Sequence, residues 1–397
     1  MIEAKKLNAH AALQTDTSSQ LRFVGSSMPT SRFSRRRGLL VAGAASWLVA
    51  QATNAAETES GGMHFPRDHG SHPDFRTEWW YITGHAKVAD RLLGFQITFF
   101  RSRVEAAQGM KSAFAARQLL FAHAAVTDVQ AGRLLHGQRI AREGFGVAEA
   151  SSDDTAIQLR DWSLVREGEH GVYVANVATD DFALDLRFRP TQPVLLQGDA
   201  GISRKGPLAD NISHYYSQPQ LAVSGRIRIG AREFDVSASA SADPLENASA
   251  WLDREWSNAF LNPDAVGWDW TGMNLDDGSA LTAFQVRKRD GSALWDGGSF
   301  RSAAGELRIF KRGETRWQPL KLWTSAASGA VYPVEWALAT PAGSFTIKSL
   351  VDNQELDSRG STGAIYWEGL SDLLGPAGKR VGRGYLEMTG YAQALRL

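Results

Sequence analysis

Residues 76–88 read RTEWWYITGHAKV, and in this stretch Glu78 is followed directly by Trp79, Trp80 and Tyr81. Successive side chains of a β-strand point to opposite faces of the sheet. Trp79 and Tyr81 are therefore expected on one face, with Glu78 and Trp80 on the other, so that one face carries a carboxylate beside an indole. We interpret all four as candidate ligand-binding residues; the alternative is that the two tryptophans are plain core.

The chain past Gly62 consists of short segments in which apolar and polar residues alternate. Examples are LLGFQITFF (92–100), GVYVANVA (171–178) and SALTAFQVRK (279–288), with turn residues such as Asp-Gly between segments. This pattern is typical of antiparallel strands. Only FAARQLLFAHAA (114–125) is a moderate helix candidate. The sequence therefore predicts an all-β protein built of antiparallel barrels or sandwiches.

The composition argues against several kinds of function. Lys plus Arg number 43 and Asp plus Glu number 43, so there is no electrostatic case for a nucleic-acid partner. The absence of cysteine excludes disulfides, thiolate metal sites and cysteine nucleophiles. No phosphate loop or dinucleotide fingerprint occurs, and we predict no cofactor. His69 and His72 lie in a Pro- and Gly-rich stretch without a complete ligand set, so no metal site is predicted.

The N-terminus has the pattern of an export signal. Residues 34–40 read SRRRGLL and begin an apolar run that ends at Ala50, with cleavage expected after Ala52 or Ala55. The paired arginines indicate the twin-arginine route, and a Sec signal with extra arginines is the alternative. The apolar run is too short to span a bilayer. We expect residues 1–56 to be an extension and signal peptide, and the mature chain to be periplasmic or secreted.

A tryptophan–glycine–Phe-Gln spacing occurs twice in the chain. It lies at residues 80–96 and again at residues 268–285, and an acid accompanies the tryptophans in both copies. The acid is Glu78 in the first copy and Asp269 in the second. This echo favours two related barrels in tandem.

We place the first barrel at residues 62–217 and the second at residues 218–397. The two hairpins that carry the echo are expected to superpose. Trp268 and Trp270 are then expected in places of the second barrel that correspond to the place of Trp80 in the first.

Eight long motifs in a fixed order resemble those of one protein family. They are HFPRDHGSHPDFRTEWWYITGHA (64–86), FQITFFR (95–101), AHAAVTD (122–128), SHYYSQPQLAVSGRI (213–227), AWLDREWS (250–257), GWDWTGMNLDDGSALTAFQVR (267–287), YWEGL (366–370) and GYLEMTGY (384–391). The family is the AttH-like, carotenoid 1,2-hydratase (hydroxyneurosporene synthase) family. The resemblance covers nearly all of the chain past the export signal.

The resemblance implies two tandem lipocalin-like (calycin) antiparallel β-barrels. Lipocalins hold small apolar ligands in the mouth of the barrel. Family members that are hydratases add water across a terminal isoprenoid double bond. That reaction needs a carboxylic acid with a raised pKa to protonate the alkene, and aromatic faces near the cation that forms.

Asp253, Glu255 and Asp269 are the candidate catalytic residues. Asp253 and Glu255 lie two residues apart in WLDREWS, so a strand would place both on one face and Arg254 on the other. Asp253 is our first choice for the acid, because Glu255 would raise its pKa. Asp269 lies between two tryptophans. The remaining candidate ligand-binding residues are His214, Tyr215, Tyr216, Trp256, Trp268 and Trp270.

Each candidate also has a structural interpretation. Asp253, Arg254 and Glu255 are alternatively an ion-pair network that joins the barrels. Asp269 is alternatively a turn cap, and His214 a hydrogen-bonded structural histidine. An arginine such as Arg76 reaching Asp253 would make acid catalysis at that carboxyl implausible.

The export signal decides between the functions that the family implies. Carotenoid precursors are made in the cytoplasmic membrane by proteins without such a signal. An exported chain fits the AttH-like branch, which resembles proteins encoded beside ABC-type transporter components. We therefore predict an exported protein that binds an apolar, isoprenoid- or lipid-like ligand and serves such a transporter. The alternatives are a carotenoid 1,2-hydratase-like hydro-lyase, and an interaction module without a pocket.

Overall fold

The computed structural model describes residues 62–237, 248–258 and 261–395. The predicted export signal and its cleavage site lie outside the described residues. The described residues form β-strands almost throughout, with one 3-10 turn at Arg67–His69 and one short helix, α1, at Glu105–Gln108. None of the described helices is long and apolar enough to cross a membrane.

Fourteen strands form the first sheet. They are β1 (Thr77–Val88), β2 (Arg91–Arg103), β3 (Gln118–Asp128), β4 (Arg133–Arg142), β5 (Ala148–Ala150), β6 (Ala156–Leu159), β7 (Trp162–Glu167), β8 (Val172–Ala178), β9 (Phe182–Arg189), β10 (Leu195–Leu196), β11 (Ile202–Arg204), β12 (Ile212–Ile229), β13 (Arg232–Val236) and β14 (Ala248–Ser257). The one helix candidate of the sequence, residues 114–125, belongs largely to β3, because its apolar residues pack into the barrel as alternate strand positions.

Ten strands form the second sheet. They are β15 (Ala265–Leu275), β16 (Ala280–Lys288), β17 (Ala293–Arg301), β18 (Leu307–Phe310), β19 (Arg316–Thr324), β20 (Val331–Thr340), β21 (Gly343–Ser349), β22 (Glu355–Ser358), β23 (Ala364–Leu374) and β24 (Arg380–Met388). Its strand order is β18-β17-β16-β15-β24-β23-β21-β20-β19, with β22 paired to β23.

The first sheet curls into a nearly closed barrel, and the second sheet forms the second of two tandem barrel domains. The predicted fold class, all-β with two lipocalin-like barrels, is confirmed. Large buried side chains such as Trp80, Phe95 and Trp162 fill the first barrel. Trp336 and Trp367 belong to the core of the second. The interior of each barrel therefore contains a packed apolar core.

The strand order differs from the predicted division of the chain at residues 217 and 218. β12 runs through both positions, so the pairing of the sheet does not change there. β14 lies between β1 and β12 in the first sheet, although it comes after both in sequence. Residues up to Ser257 thus belong to the first sheet.

The two echo hairpins both exist, as β1–β2 and β15–β16, but their registers differ. Gly84 lies opposite Phe95, whereas Gly272 lies opposite Thr282. Two residues connect the first pair of strands and four connect the second. Because turn length sets hairpin register, a similar spacing in sequence does not lead to the same pairing of residues.

The echo also places its tryptophans differently. Trp80 packs inside the first barrel, whereas Trp268 and Trp270 pack on the outer face of the second barrel, toward the first. The prediction that these tryptophans correspond is wrong. The equivalent feature is the acid: Glu78 and Asp269 each point into their own barrel and each pairs with an arginine of the next strand.

A third apolar cluster lies between the barrels and joins them. Its residues come from both sheets: Tyr81, Leu195, Trp251, Trp270, Ala280, Phe284, Val286, Leu370 and Tyr385. Direct hydrogen bonds cross the same surface. Trp270 Nε1 donates to Tyr215 Oη at 3.1 Å, and Thr127 Oγ1 donates to Gln354 Oε1 at 2.8 Å. This surface, which we call the inter-barrel face, brings together most of the polar residues described next.

Candidate functional site

β1 has the two faces that its sequence predicts. Glu78 and Trp80 point into the first barrel, and Trp79 and Tyr81 point to the inter-barrel face. Trp80 Nε1 donates to the carbonyl of His69 at 2.8 Å. The alternation of β1 therefore divides the four candidates between two environments, and only Trp79 and Tyr81 lie where the two barrels meet.

Glu78 is a buried ion-pair residue. Its carboxylate contacts the guanidinium groups of Arg101 and Arg254, and Ser71 Oγ donates to it at 2.6 Å. All three charged side chains are fully buried. Burial alone would raise the pKa of Glu78, but Arg254, His72 and Arg101 outweigh it and hold this pKa below its usual range. Glu78 is thus ionised and holds the first barrel together.

Within the part of the chain that the structure describes, the hydrogen-bond donors to Asp253 are all neutral. Tyr215 Oη donates to Oδ2 at 2.7 Å, Ser217 Oγ to Oδ1 at 2.6 Å, and Trp251 Nε1 to Oδ1 at 2.7 Å. No cationic side chain among the described residues forms an ion pair with Asp253. Its neighbour Arg254 points into the first barrel, as strand alternation predicts.

This environment changes the acidity of Asp253. Burial raises its pKa to about 7, against the hydrogen bonds from Ser217, Tyr215 and Trp251, which lower it. The charge of Glu255 contributes to this rise. A carboxyl that titrates near neutral pH beside aromatic carbon has the properties of a general acid.

Glu255 shares the face of Asp253 but has a cation of its own. Lys205 Nζ lies 3.2 Å from its carboxylate, and Ser213 Oγ donates to the same oxygen. The Lys205 ammonium also lies 4.5 Å from the centre of the Tyr215 ring. The interpretation of residues 253–255 as an ion-pair network that joins the barrels fails at Arg254, whose partner lies within the first barrel.

Two further carboxyls, neither of them predicted from the sequence as a site residue, lie at the inter-barrel face. Glu368 in β23 lies opposite Glu387 in β24. Burial and the charge of Glu387 raise the pKa of Glu368 well above its usual value, and burial raises that of Glu387 to about 7. The signal was present in YWEGL and GYLEMTGY, where an acid stands close to aromatic residues in a strand.

Aromatic side chains surround these carboxyls. Trp270 lies opposite Glu387 in the sheet, and its ring contacts the Tyr81 ring edge-to-face at 5.3 Å between centroids. Trp268 interacts with the Glu387 carboxyl. Trp79, Trp268 and Glu387 are half-buried rather than buried, so they form the open side of the group. We call Tyr81, Tyr215, Asp253, Trp270, Glu368 and Glu387 the interface cluster.

Asp269 does not belong to the interface cluster. Its carboxylate faces the interior of the second barrel, where Arg287 Nε lies at 2.8 Å, Gln285 Nε2 donates at 2.8 Å and Tyr391 Oη at 2.9 Å. Burial raises its pKa, and Arg287 opposes that effect. Strand alternation explains the placement, because Trp268 and Trp270 on either side of Asp269 point to the inter-barrel face.

The remaining candidates lie in the first barrel. Trp256 stacks between His72 and His214, with ring centroids 3.9 and 5.1 Å away. Tyr216 Oη lies 2.6 Å from Nδ1 of His69. Burial lowers the pKa of His214, and the nearby His72 lowers it further. His214, Tyr216 and Trp256 are therefore separated from Asp253 by the sheet itself, whereas Tyr215 contacts Asp253.

A cleft of about 460 Å³ opens at one end of the inter-barrel face. It is lined by His85, Gln220, Ser249, Asn274, Leu275, Asp276, Asp277, Gly278, Arg380 and Arg383. None of these residues belongs to the interface cluster. His85 and Ser249 do continue the rows of β1 and β14 that carry Tyr81 and Asp253. The polar lining differs from the apolar cavity expected of a lipocalin.

Comparison with known proteins gives consistent matches. The family model described as AttH-like matches residues 56–391. A protein from Nitrosomonas europaea provisionally assigned as AttH has a crystal structure similar to this one, with 44% identity and a TM-score of 0.76; the match covers 84% of this chain and 99% of that chain. No curated protein matches this chain.

Two more distant structures share the fold. Kievitone hydratase from Nectria haematococca matches with a TM-score of 0.65 and 14% identity, over 83% of this chain and 93% of its own. CghA with Sch210972 matches with a TM-score of 0.50 and 13% identity, over 80% of this chain and 89% of its own.

Proposed function

This chain belongs to the AttH-like family, and from that premise we propose that it is a hydro-lyase. Its reaction is the addition of water to a terminal carbon–carbon double bond of an apolar, isoprenoid-like substrate. The substrate binds at the inter-barrel face, with its double bond beside the interface cluster. No cofactor takes part.

The state of Asp253 is the observation that carries this proposal. Protonation of an unactivated alkene requires a carboxylic acid that keeps its proton near neutral pH and lies against aromatic carbon. Asp253 has a pKa of about 7 and lies beside Trp251 and Tyr215. Its hydrogen-bond partners among the described residues are all neutral, and no arginine or lysine in this part of the chain forms an ion pair with it.

Two carboxyls would share the proton transfers. Asp253 gives its proton to the less substituted carbon of the double bond, and the π electrons form the new C–H bond. The resulting tertiary cation lies against the aromatic pair formed by Tyr81 and Trp270, because aromatic faces stabilise positive charge. Water adds its oxygen to the cation and loses a proton to Glu387. Exchange with solvent returns the proton to Asp253, so one water is added in net.

Tyr215 fits the role of a positioning residue. In the ionised state of Asp253, Tyr215 Oη donates to Oδ2 and accepts from Trp270 Nε1. In the protonated state, Oδ2 can donate to Tyr215 Oη instead. The hydroxyl therefore supports both protonation states without moving a heavy atom.

The fold shared with kievitone hydratase supports this proposal at the level of architecture. That relative is a hydratase by name. Because its sequence identity to this chain is low, the similarity supports a shared fold and not a shared activity. The carboxyls of the interface cluster carry the chemical part of the argument.

The direct test is Asp253→Asn, assayed with terminal isoprenoid alkenes in deuterated water. Asparagine keeps Oδ1 as an acceptor for Ser217 and Trp251, while its amide can donate to Tyr215 Oη. We expect loss of deuterium incorporation with retained folding and retained alkene affinity. Asp185→Asn, on the exposed surface of the first barrel, is the matched control and should keep incorporation. Wild-type protein that binds these alkenes but incorporates no deuterium would contradict the hydratase.

A second function is favoured by the N-terminal sequence. Export of the chain fits a periplasmic binding protein that presents an apolar ligand to ABC-type transporter components. Wild-type protein that binds isoprenoids or lipids without turnover would support this function.

A further inference from the structure

Four buried polar atoms on facing parts of the inter-barrel face lack a hydrogen bond of normal geometry among the described residues. They are Tyr81 Oη, Thr83 Oγ1, Gln96 Oε1 and Glu368 Oε1. Their residues are between 1% and 6% exposed. Buried polar groups in proteins almost always have a partner, because leaving one unpaired costs its full desolvation. Tyr81 and Glu368 interact with each other, and Gln96 interacts with Tyr366, so Thr83 Oγ1 is the atom of the four that most clearly needs a bound polar species.

The four atoms belong to neighbouring positions. Thr83 and Gln96 lie directly opposite each other in β1 and β2, which places their Cβ atoms about 5 Å apart. Tyr81 is the next residue of β1 on the same face. Glu368 reaches Tyr81 from the second sheet. Glu368 raises the pKa of Tyr81, and Tyr81 lowers the pKa of Glu368.

Tyr81, Thr83, Gln96 and Glu368 form a row that connects the cleft with the interface cluster. His85, the residue after Thr83 on this face of β1, lines the cleft of about 460 Å³. At the other end, Tyr81 and Glu368 belong to the interface cluster, beside Glu387. Successive residues on one face of a strand are about 7 Å apart, so the row from His85 to Tyr81 spans roughly 13 Å.

The chemistry of the four atoms selects the occupant. Gln96 Nε2 already donates to Thr98 Oγ1 at 2.6 Å, so Oε1 of the same amide accepts and needs a donor. The hydroxyls of Thr83 and Tyr81 can each donate and accept. A carbonyl oxygen would leave Gln96 Oε1 unpaired, whereas water can donate to Gln96 and bond to both hydroxyls.

We propose that Thr83, Gln96, Tyr81 and Glu368 bind a file of water molecules that leads from the cleft to the interface cluster and supplies the reacting water. This role rests on the proposed hydratase function. The row would bring water to the interface cluster from the end of the inter-barrel face where the cleft opens. Water then meets the cation from the side of Tyr81 and Glu368.

The first test measures how the cation is partitioned. In deuterated water the cation either takes up water to give the deuterated alcohol, or returns a proton to give a deuterated alkene. Thr83→Val removes one hydroxyl without changing the shape of the side chain. We expect the ratio of alcohol to deuterated alkene to fall about tenfold, the equivalent of one hydrogen bond. Tyr81→Phe should lower the same ratio.

The matched control is Thr127→Val. Thr127 is equally buried on the inter-barrel face, but its hydroxyl already donates to Gln354 Oε1 at 2.8 Å. This variant should leave the product ratio unchanged. A ratio that is unchanged in both Thr83→Val and Tyr81→Phe overturns the water file, even if wild-type protein hydrates alkenes.

The second test needs no substrate. A high-resolution crystal structure of the ligand-free protein should contain ordered water bonded to Thr83 Oγ1 and Gln96 Oε1, and Thr83→Val should lose it. The proposal is overturned if no ordered water is bonded to these atoms, or if an oxygen atom of a co-purified ligand occupies the row instead. This test does not depend on turnover. If the protein has no hydratase activity, the proposed function is contradicted, but the crystal structure still shows whether the water file exists.

Discussion

Arg254 and Asp253 are neighbours in β14, yet their charged groups lie on opposite sides of the first sheet. The Arg254 guanidinium contacts Glu78 inside the barrel, whereas the Asp253 carboxyl faces the second barrel and accepts from Tyr215 at 2.7 Å. The strand thereby keeps the nearest cation in sequence away from Asp253. The raised pKa of Asp253 follows from this separation together with burial.

Stability should depend on pH through Asp253. Its pKa is about 7 in the folded protein and 3.8 as an ordinary carboxyl, so the folded state binds the proton more tightly between these values. The free energy of unfolding therefore falls as pH rises from about 4 to about 7, by roughly 4 kcal/mol in all. Glu387, whose pKa is also raised to about 7, acts in the same direction.

Asp253→Asn should remove the Asp253 part of this dependence. We expect the variant to be more stable than wild type at pH 8 and about equal at pH 4, measured by urea unfolding. Asp185→Asn should keep the wild-type slope. Parallel curves for Asp253→Asn and wild type between pH 4 and pH 8 would show that Asp253 does not keep its proton.

Glu78→Gln should be severely destabilising. It leaves the buried guanidinium groups of Arg101 and Arg254 without their carboxylate, and breaking a buried pair from one side costs about 3–5 kcal/mol. The comparison is Glu167→Gln, because the pair of Glu167 with Arg187 is about half exposed and is worth less than about 1 kcal/mol. Equal effects in thermal unfolding would contradict the structural role of Glu78.

Trp268 and Trp80 should separate ligand binding from stability. Trp268 is half-buried at the inter-barrel face, so Trp268→Leu should weaken binding of an isoprenoid alkene and reduce its quenching of tryptophan fluorescence. Trp80 is a core residue of the first barrel, and Trp80→Ala should cost about 3–5 kcal/mol of stability. A Trp268→Leu protein with unchanged ligand affinity would argue against binding between the barrels.

Gly272→Ala should disturb the interface cluster without touching a polar group. A Cβ atom there would lie 2.5 Å from Trp270 Cη2 and 3.0 Å from Trp251 Cε2. One of the indoles must then shift, at a cost of about 1–3 kcal/mol, and deuterium incorporation should fall. Gly109→Ala meets no neighbouring atom and has an ordinary φ of −79°, so it should behave as wild type.

Replacement of Arg35 and Arg36 together by lysine should block export. The twin-arginine route reads this pair, whereas a Sec signal tolerates lysine at both positions. The measurement is the distribution of the protein between periplasm and cytoplasm in its host. Unchanged export of the lysine variant would favour the Sec route. Wild-type protein that stays in the cytoplasm would exclude both export routes.

The rule that side chains alternate along a strand explains how much of the site could be predicted. It correctly placed Glu78 with Trp80, Trp79 with Tyr81, and Asp253 opposite Arg254 from short stretches of sequence. The same rule applied to Asp269 would have separated it from Trp268 and Trp270. The amphipathic alternation of the chain likewise predicts the all-β class directly.

The register and the cross-barrel contacts could not be predicted in this way. Glu368 and Glu387 reach the interface cluster from strands more than 100 residues beyond Asp253, and only the packing of one barrel on the other makes them neighbours. The echo hairpins have spacings that differ by a single residue but turns of different length, so their pairing differs. Local sequence carries the direction of a side chain, while its partners depend on tertiary packing.

The position of β14 has a consequence for how the molecule is made. β1 and β12 are paired through β14, so a ribosome must have released Ser257 before these two strands can be joined. Expression of residues 62–217 alone would leave β1 with an unpaired edge and would shorten β12. The first barrel therefore completes its fold only after β14, the last of its fourteen strands, has left the ribosome.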